Sequence, residues 1–346
     1  MPKISSLTDF FQQTQCDILL VDLGRKVKVL SQQDFARIEA NQIPYPFPIQ
    51  GQSQLALTFW QGQEDPWIWF LQFPLDERGL LKQALVNDFI QYVLVAFNTD
   101  LTQPVTEEMK QKLANNPYTF RPQDDKLSVF HALLSRHIAN PCSAFYTPAR
   151  TYLSGINGWD AWQHIGLQGF ADICVNLDRD QNVALVQQAL HALPQTPLYA
   201  LLGCLEHVII PDPLAQELLS FFAEEEIQAP DIFLLCAVMR ALGGADITYL
   251  QRAIRIVMKN DALMHREMFI AIAGRCWHVF EDPAILSAFF IALAQQDKPV
   301  LFNQIFIDLV ALPQIRIFVL SLLRDPQNTD LANALNRLKS LAKQGE

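Results

Sequence analysis

A thiol and an imidazole lie close together in the second half of the chain. Cys204 and His207 are three residues apart in a predicted helix, so they share a face, and a thiolate beside an imidazole is the minimum for nucleophilic or metal chemistry. Only these two ligands are visible, and the apolar run 201–205 contains the cysteine. Because free cysteine is among the most buried residue types, the pattern favours a buried thiol over a reactive one.

A second candidate is the segment at residues 178–182, which begins like a calcium-binding loop. Val183 stands where such a loop has the glycine of its sharp turn, and Ala189 stands where it has a bidentate glutamate, so a helix cap is favoured. The sequence contains no phosphate loop, nucleophile elbow, zinc-protease helix or dinucleotide fingerprint. We therefore expect no metal and no cofactor, and the sequence favours a non-enzymatic protein while leaving an enzymatic activity open.

Two further patterns could form a surface for a partner. Arg252, Arg255 and Lys259 recur at helical spacing and form a basic stripe, which could receive an acidic peptide or a phosphate. A solvated outer helix face explains the same stripe and is the favoured interpretation. Trp159 and Trp162 are a second candidate surface, with burial as the alternative.

Tryptophans of the first hundred residues supply another candidate surface. Trp67 and Trp69 alternate on one face of a predicted strand, where Trp60 across the hairpin could join them as a flat stacking platform. Burial under a helix predicted at residues 80–97 explains the pattern as well. We favour burial, because the opposite strand face is equally apolar and only one face of the sheet can be open to water.

The residues before position 100 predict a small α+β module. Gly24 and Arg25 are typical of a two-residue hairpin turn, and Ser31 followed by Asp34 is a near capping box. Apolar alternation at a period of two marks the strands, and helical spacing marks the segments between them. The predicted elements are helices at 6–13, 31–40 and 80–97, strands at 17–23 and 26–30, and a second hairpin with strands at 54–61 and 66–73.

The second half of the chain predicts a stack of helix pairs. Four units, at residues 178–210, 211–244, 245–281 and 282–314, are 33, 34, 37 and 33 residues long, and each holds two apolar-faced helical segments. A period in this range is typical of paired-helix solenoids, because one helical hairpin cannot cover its own apolar face. We predict a HEAT-like α-solenoid, with an irregular helical bundle as the alternative.

Turn residues separate the helices of each predicted unit. Aspartates stand at the predicted starts of the first helices, where a carboxylate accepts hydrogen bonds from unpaired amides: Asp178, Asp212, Asp246 and Asp282. The second helices, predicted to begin near Pro197, Pro230 and Pro299, are more apolar, so we expect them to be buried. A closing amphipathic helix is predicted at 326–343, with four leucines inward: Leu331, Leu335, Leu338 and Leu341.

The domain organisation follows from these patterns. We predict an α+β module at residues 1–100, a polar linker at 101–122 with a short helix at 107–113, and a helical-repeat domain at 123–346, mainly α overall. A separate helix is predicted at 123–139, with Leu127, Phe130, Leu133 and Leu134 on one face.

Composition limits the possible partners and compartments. The chain has 346 residues, half of them hydrophobic, and a formal net charge of -10, which disfavours nucleic acid as a partner. The first 24 residues lack the pattern of a secretory signal, and no apolar run approaches the ~18 residues of a membrane span. Six cysteines without a C-x-x-C pair indicate reduced thiols and predict a cytoplasmic protein.

Several short segments resemble a gamma-proteobacterial family of unknown function. They are Ser-Leu-Thr-Asp-Phe-Phe at 6–11, Val-Asp-Leu-Gly-Arg at 21–25, Pro-Tyr-Pro-Phe at 44–47, Trp-Phe-Leu at 69–71 and Pro-Leu-Asp-Glu-Arg-Gly-Leu-Leu at 74–81. The resemblance extends over essentially the whole chain. It implies a cytosolic bacterial protein and carries over no catalytic residue.

Two functions remain compatible with the sequence. The preferred one is a non-enzymatic scaffold or adaptor whose helical-repeat surface binds a protein or peptide. The alternative is an enzyme or small-ligand-binding regulator with a pocket between the N-terminal module and the helical stack, since domain interfaces commonly hold small molecules. The sequence does not indicate an oligomeric state.

Overall fold

The computed structural model describes residues 6–14, 16–62, 65–96, 116–222, 231–324, 326 and 328–344. The chain forms two compact units. Unit 1 comprises Met1–Gln123 with Ala311–Pro313, and unit 2 comprises Asp124–Val310 with Gln314–Glu346. Unit 1 contains an antiparallel sheet with helices, whereas the described part of unit 2 is helical, so the prediction of a mainly helical protein with a small N-terminal α+β module is confirmed.

The sheet of unit 1 has four antiparallel strands in the order β2-β1-β3-β4. The strands are β1 (Asp17–Asp22), β2 (Lys28–Leu30), β3 (Gln52–Trp60) and β4 (Trp67–Pro74). The pairing of β3 with β4 confirms the second predicted hairpin. In β1 the last four residues are all buried, so both faces of the sheet centre are covered.

The first hairpin differs from its prediction. Asp22 pairs with Lys28, so residues 23–27 connect the two strands. The prediction of a two-residue turn at Gly24 and Arg25 is therefore wrong. The amide of Leu23 instead donates to the carbonyl of Gln54 at 2.8 Å, which continues the contact of β1 with β3. Arg25 is 2% exposed, because its side chain enters the interior rather than lying at a turn tip.

Three helices accompany the sheet: α1 (Leu7–Thr14), α2 (Gln32–Glu39) and α3 (Gln83–Ala96). Ser31 caps α2 by accepting from the amide of Asp34, so the predicted cap is confirmed. The helix α3 begins after its predicted start at residue 80, because Leu81 forms a bridge with Leu75. The Asp76 carboxylate holds the turn between them by accepting from the amide of Leu80 at 2.8 Å.

The described end of the predicted linker continues unit 1. The amide of Gln72 donates to the carbonyl of Tyr118 at 2.8 Å, and the amide of Phe120 donates to the carbonyl of Phe70 at 3.1 Å. These bonds pair the segment with the outer edge of β4, which leaves that edge partly covered. The short helix predicted at 107–113 lies outside the described residues.

Unit 2 consists of helices joined by short turns. They are α4 (Asp124–His137), α5 (Tyr146–Leu153), α6 (Leu167–Val175), α7 (Asn182–Leu190), α8 (Gln195–Leu205), α9 (Asp212–Ser220), α10 (Ile232–Leu242), α11 (Ile247–Met258), α12 (Arg266–Arg275), α13 (Pro283–Gln295), α14 (Pro299–Val310), α15 (Arg316–Ser321) and α16 (Thr329–Gln344). Two short 3-10 helices, Asp160–His164 and Trp277–Glu281, lie between them.

The helices of unit 2 contact one another in two series. In one series α5, α7, α9, α11, α13 and α16 each touch the next, and in the other α6, α8, α10, α12 and α14 do so. Each of the four predicted repeat units contains one helix of each series. A helix therefore packs against the helix two places further along the chain.

The starts of the first helices follow the predicted aspartates at three of four units. Asp246 and Asp282 cap α11 and α13 by accepting from amides of the first turn, and Asp212 is the first residue of α9. At the first unit the prediction is wrong, because α7 begins at Asn182. Asp178 instead forms an ion pair with Arg136, with 2.5 Å between its Oδ1 and Nη1 of the arginine.

In the first three predicted units the second helix is the more deeply buried, as its apolar sequence predicts, but in the fourth unit the first helix, α13, has more buried residues than α14. In α10 the run from Leu235 to Met239 is buried on every side, whereas Leu234 is half-buried and Phe233 is exposed. In the closing helix α16, Leu331 and Leu335 are buried. Leu341, also predicted to face inward, is 55% exposed, so the buried face ends before the last turn.

Candidate functional site

Five charged or titratable side chains meet at the ends of four helices of unit 2, and we call them the ionic cluster. Asp125 lies in the first turn of α4, Glu206 caps the C-terminus of α8, and His207 follows it. Arg240 lies in the last turn of α10, and Arg275 is the last residue of α12. The apolar packing of these helices determines where their ends lie, so it also positions the cluster.

Glu206 is the centre of the cluster and is 4% exposed. Arg240 Nε donates to its Oε2 at 2.9 Å, and Arg275 Nε donates to its Oε1 at 3.0 Å. Burial opposes ionisation of Glu206, but Arg275, His207 and Arg240 outweigh it, so its pKa lies below the ordinary value. One ionised carboxylate thereby joins α8, α10 and α12.

His207 and Asp125 form the other side of the cluster. The Nε2 atom of His207 lies 3.5 Å from Glu206 Oε1 and 3.8 Å from Asp125 Oδ2. Burial lowers the pKa of His207, so the imidazole is neutral at pH 7. Burial opposes the charge of Asp125, but the neighbouring His207 and a hydrogen bond of 2.8 Å from the amide of Lys126 prevail and lower its pKa to about 2.

The ligand atoms of Asp125, Glu206 and His207 lie within 4.8 Å of one another, which is close enough for a metal ion. However, both oxygens of Glu206 already accept hydrogen bonds from arginine side chains. A divalent cation would have to displace these guanidinium groups or lie beside their positive charge. The cluster therefore fits an ion-pair network better than a metal site.

Cys204 does not join the imidazole as a reactive pair. Its thiol is fully buried, and Cys174 and burial hold the pKa of Cys204 well above its ordinary value. A protonated, inaccessible thiol is a poor nucleophile. His207 contacts the two carboxylates instead.

The basic stripe lies on α11, and all three of its residues, Arg252, Arg255 and Lys259, are exposed. Arg255 Nη2 contacts Gln251 Oε1 at 3.5 Å. Among the residues that the structure describes, no carboxylate forms an ion pair with any member of the stripe. The stripe is an open positive surface.

The tryptophans of β4 lie in an aromatic core. Trp69 is 9% exposed, and its ring centroid lies 4.8 Å from that of Phe59, 5.6 Å from Phe89 and 6.0 Å from Phe10. Trp67 is half-buried and stacks on Phe59 at 6.4 Å. Trp69 therefore offers no open face to a ligand.

Strand register separates Trp60 from this group. Phe59 lies opposite Trp67, and Leu57 lies opposite Trp69, so these residues share a face of the sheet. Trp60, one residue further along β3, projects from the other face. Trp60 therefore does not join Trp67 and Trp69 in a stacking platform, which the sequence left as the alternative to burial.

The pair Trp159 and Trp162 is half-buried. The Trp159 ring lies against Gly155, where an added Cβ would approach its Cζ2 to 2.8 Å, and the ring makes an edge contact with Tyr152 at 5.7 Å. Its packing fixes the turn before the 3-10 helix at Asp160–His164. The pair thus contributes partly to packing and partly to the surface.

Hydrogen bonds explain the calcium-like segment. Arg150 Nη1 donates to the carbonyl of Asp180 at 2.8 Å and to Asn182 Oδ1 at 2.5 Å. The amide group of Asn182 donates to the carbonyl of Asn176 at 2.8 Å, and Asn182 is fully buried. The guanidinium group of Arg150 thus already binds two oxygen atoms that a calcium ion in this segment would need.

The sequence patterns did not identify Asp125, Glu206, Arg240 and Arg275 as a group. A signal was present, because each of the last three is a charged residue at the end of an apolar run. They also recur regularly, since Arg240 lies 34 and Arg275 lies 69 residues after Glu206. A charge that recurs at the repeat period predicts an interaction between successive repeats.

The fold and the ionic cluster define a mainly helical protein with a small antiparallel sheet and a charged network at the helix ends of its second unit. Within the described residues, no helix has the length and apolar character to cross a bilayer.

The chain belongs to a family described as protein of unknown function (DUF3549), whose family model matches residues 2–339. No curated protein and no solved structure matches the chain significantly.

Proposed function

We propose that this chain is a non-enzymatic, cytosolic interaction protein of gamma-proteobacteria that binds an acidic segment of a protein partner. Its second unit is a HEAT-like α-solenoid in this proposal, and the binding surface includes the basic stripe on α11. The observation that carries the proposal is the exposure of Arg252, Arg255 and Lys259 without an acidic partner among the described residues.

The packing of unit 2 supports the repeat. Each helix touches the next helix of its own series, as stacked helical hairpins do. The units keep a length near 34 residues although their residue identities differ. Four free cysteines of the chain are buried, which fits a reducing compartment.

The surroundings of the stripe support an acidic ligand. The helix α13, which touches α11, contains no charged residue in Pro283–Gln295, so it neither neutralises the stripe nor repels an acidic chain. On the other side α9 carries two acidic residues, of which Glu217 lies 2.8 Å from His191 Nε2 and Asp212 lies at the first position of the helix, beside its N-terminal amides. Among the described residues, the stripe therefore has more positive charge along α11 than the neighbouring helices offer in competing carboxylates.

The magnitude of the attraction limits its role. An exposed ion pair is worth about 0.2–1 kcal/mol, so three such pairs supply at most about 3 kcal/mol. The stripe can select and orient an acidic segment, but other contacts must supply most of the affinity. Binding should weaken steeply with salt, because exposed charges are screened within about 10 Å at 0.1 M ionic strength.

Site-specific photo-crosslinking in bacterial cells tests the proposal. We would place benzoylphenylalanine at Gln251, beside the stripe, and at Gln188 on α7 as a control. We expect one partner to be crosslinked from Gln251, through a peptide rich in Asp and Glu, and the crosslink to vanish when all three stripe residues are changed to Glu.

A matched variant changes the same total charge elsewhere, by replacing exposed Arg179, Lys298 and Arg337 with Glu. This variant should keep the crosslink. The proposal is wrong if the crosslink survives reversal of the stripe, if the matched variant abolishes it equally, or if the captured peptide is not acidic.

A further inference from the structure

We propose that Arg240 and Arg275 form a binding site for a single carboxylate group on the surface of α8, α10 and α12. This site is separate from the stripe on α11, and it does not depend on the function proposed above. Three features carry the inference: the way in which Glu206 holds both guanidinium groups, their remaining donors, and the open space at two glycines.

Glu206 holds each arginine by one atom only. Both bonds to its carboxylate come from Nε, at 2.9 Å from Arg240 and at 3.0 Å from Arg275. A guanidinium group has five N–H donors, of which four are on the two Nη atoms. The Glu206 carboxylate therefore orients both guanidinium groups without binding their Nη atoms.

The Nη atoms of Arg240 and Arg275 have few hydrogen-bond partners among the described residues. In the described part of the chain, no residue accepts a hydrogen bond from either Nη of Arg240, whose side chain is 34% exposed. Arg275 is 17% exposed, and its Nη1 makes one long bond of 3.3 Å, to the carbonyl of Gly274. Two oriented forks with unused donors are the groups that bind a carboxylate through paired hydrogen bonds.

Two glycines leave open space on the helices that flank α10. Gly203 lies in α8 and Gly274 in α12, the helices that flank α10, and a Cβ added at either position would meet no atom within 4 Å. Because an added methyl group would meet no atom of the chain, packing within the chain gives no reason for glycine at these positions, although glycine lowers helix stability relative to alanine. Close approach of another molecule to the helix surface supplies one.

Charge selects the class of ligand. Arg240 and Arg275 carry two positive charges, Glu206 and the nearby Asp125 carry two negative charges, and His207 is neutral, so the ionic cluster has no net charge that would favour a dianion. A carboxylate adds one negative charge beside the buried Glu206, whereas a phosphate dianion adds two, and desolvation makes each charge costly there. The site therefore fits a carboxylate, either free in a small molecule or carried by an acidic side chain of a peptide.

A purely structural ion-pair network is the competing explanation, and it predicts a different behaviour. Such a network needs the two Nε bonds, but it needs neither exposed Nη donors nor empty space at Gly203 and Gly274. Ligand titration of the folded full-length chain separates the two explanations.

The experiment follows the 1H–15N signals of arginine Nε–H groups in the full-length protein. Sodium acetate is the first probe, the peptide acetyl-Gly-Glu-Gly-amide is the second, and sodium phosphate and sodium chloride are compared at equal ionic strength. We expect saturable shifts at Arg240 and Arg275 with one or both carboxylates, and weaker or unsaturable shifts with phosphate and chloride. Saturation by acetate indicates that a free carboxylate suffices, whereas saturation by the peptide alone indicates a carboxylate on a chain.

Two variants sharpen the test. Arg240→Lys keeps the charge but loses the fork, and it should weaken carboxylate binding about tenfold, as expected for the loss of one charge-assisted bond. Arg337→Lys, at an exposed position of α16, is its matched control and should bind as the parent does. Equal binding by Arg240→Lys and the parent, or tighter binding of phosphate than of either carboxylate, overturns the proposal.

Gly274→Ala serves if Arg240→Lys does not fold. It leaves all three ionic side chains in place and should raise the melting temperature, because alanine is the better helix former. It should also weaken binding of the peptide, whose approach the new methyl group obstructs. A raised melting temperature with unchanged affinity for both carboxylate probes would show that the glycine has no role in binding, and would overturn the proposal.

Discussion

Replacement of Glu206 by glutamine is the most direct test of the ionic cluster. The substitution keeps the side-chain volume and one acceptor oxygen, but it removes the charge that both arginines share. It also places an amide NH2 group against a guanidinium donor. The free energy of unfolding should therefore fall, because two partly buried cations lose their common counter-charge.

The exposed fractions of the side chains set the magnitude. Breaking a fully buried ion pair costs about 3–5 kcal/mol. Glu206 and Arg275 have side chains only 5% and 17% exposed, but that of Arg240 is 34% exposed and can recover hydration. We therefore expect a loss of about 3 kcal/mol. At about 2–4 °C per kcal/mol for a domain of this size, the melting temperature should fall by roughly 6–12 °C.

Urea unfolding followed by circular dichroism measures this change. Glu267→Gln is the matched control, because Glu267 lies on the surface of α12 and its carboxylate is 3.9 Å from Arg266. It should change the free energy of unfolding by less than about 0.5 kcal/mol. If Glu206→Gln has as small an effect as this control, the buried network does not stabilise unit 2.

A double substitution tests the coupling between the charges. Arg275→Gln alone leaves Glu206 with one arginine, and in combination with Glu206→Gln it removes both members of the more buried pair. The double variant should lose less stability than the sum of the two single variants, by about 1 kcal/mol or more. Strict additivity would refute the assignment of a shared ion pair.

Three further predictions concern the aromatic core of unit 1, the pH dependence of the ionic cluster and the facing of α10. Phe89→Ala should destabilise unit 1 by about 3–5 kcal/mol in urea unfolding, since Phe89 is 1% exposed in the aromatic core, and a loss below 1 kcal/mol would contradict that packing. Acidification should destabilise unit 2, because folding lowers the pKa values of both His207 and Asp125. The stabilisation from neutral His207 is complete above about pH 6.5 and is lost as the pH falls below 6.5. The stabilisation from ionised Asp125 is lost at lower pH, from 3.8 towards about 2. His207→Gln should remove the upper part of this pH dependence in thermal melts, and an unchanged profile would contradict the assignment. Val238→Asp should unfold unit 2 as judged by circular dichroism, because Val238 is fully buried. Leu234→Asp changes a half-buried position, so this variant should have a melting temperature closer to that of the parent. Equal effects of the two substitutions would contradict the assigned buried face of α10.

Local sequence patterns predicted most of the elements of unit 1. Alternating aromatic residues located β3 and β4, and Ser31 located the start of α2, because both signals act between near neighbours in the chain. The turn at Gly24 was mispredicted since the carbonyl of Pro48, 23 residues away, accepts from Arg25 Nε and draws that side chain inward. Contacts over such a distance leave no local pattern.

The same limit applies to the ionic cluster. Asp124 and Asp125 are adjacent in one helix, so their side chains point in different directions and the local pattern gives no sign of a cluster. The sequence could not predict that Asp125 lies 3.8 Å from His207, because that distance depends on how α4 packs against α8. Likewise, Cys204 and His207 share a helix, but the partners that determine their chemistry come from other helices.

Lone charges in the second helices carry information about the repeat that residue identity does not. Asp172, Glu206, Arg240 and Arg275 follow one another at intervals of 34 or 35 residues, although neighbouring residues are scarcely kept between units. Asp172, the first of them, is satisfied by hydrogen bonds from Ser143 and Gln168, whereas the other three satisfy one another. Apolar residues can exchange within a core of constant volume, but a buried charge must keep a partner at hydrogen-bonding distance. We therefore expect the repeat period to be kept in the charged positions where successive helix pairs must stack in one register. Glu206→Gln disrupts that register, so it should destabilise all of unit 2 rather than α8 alone.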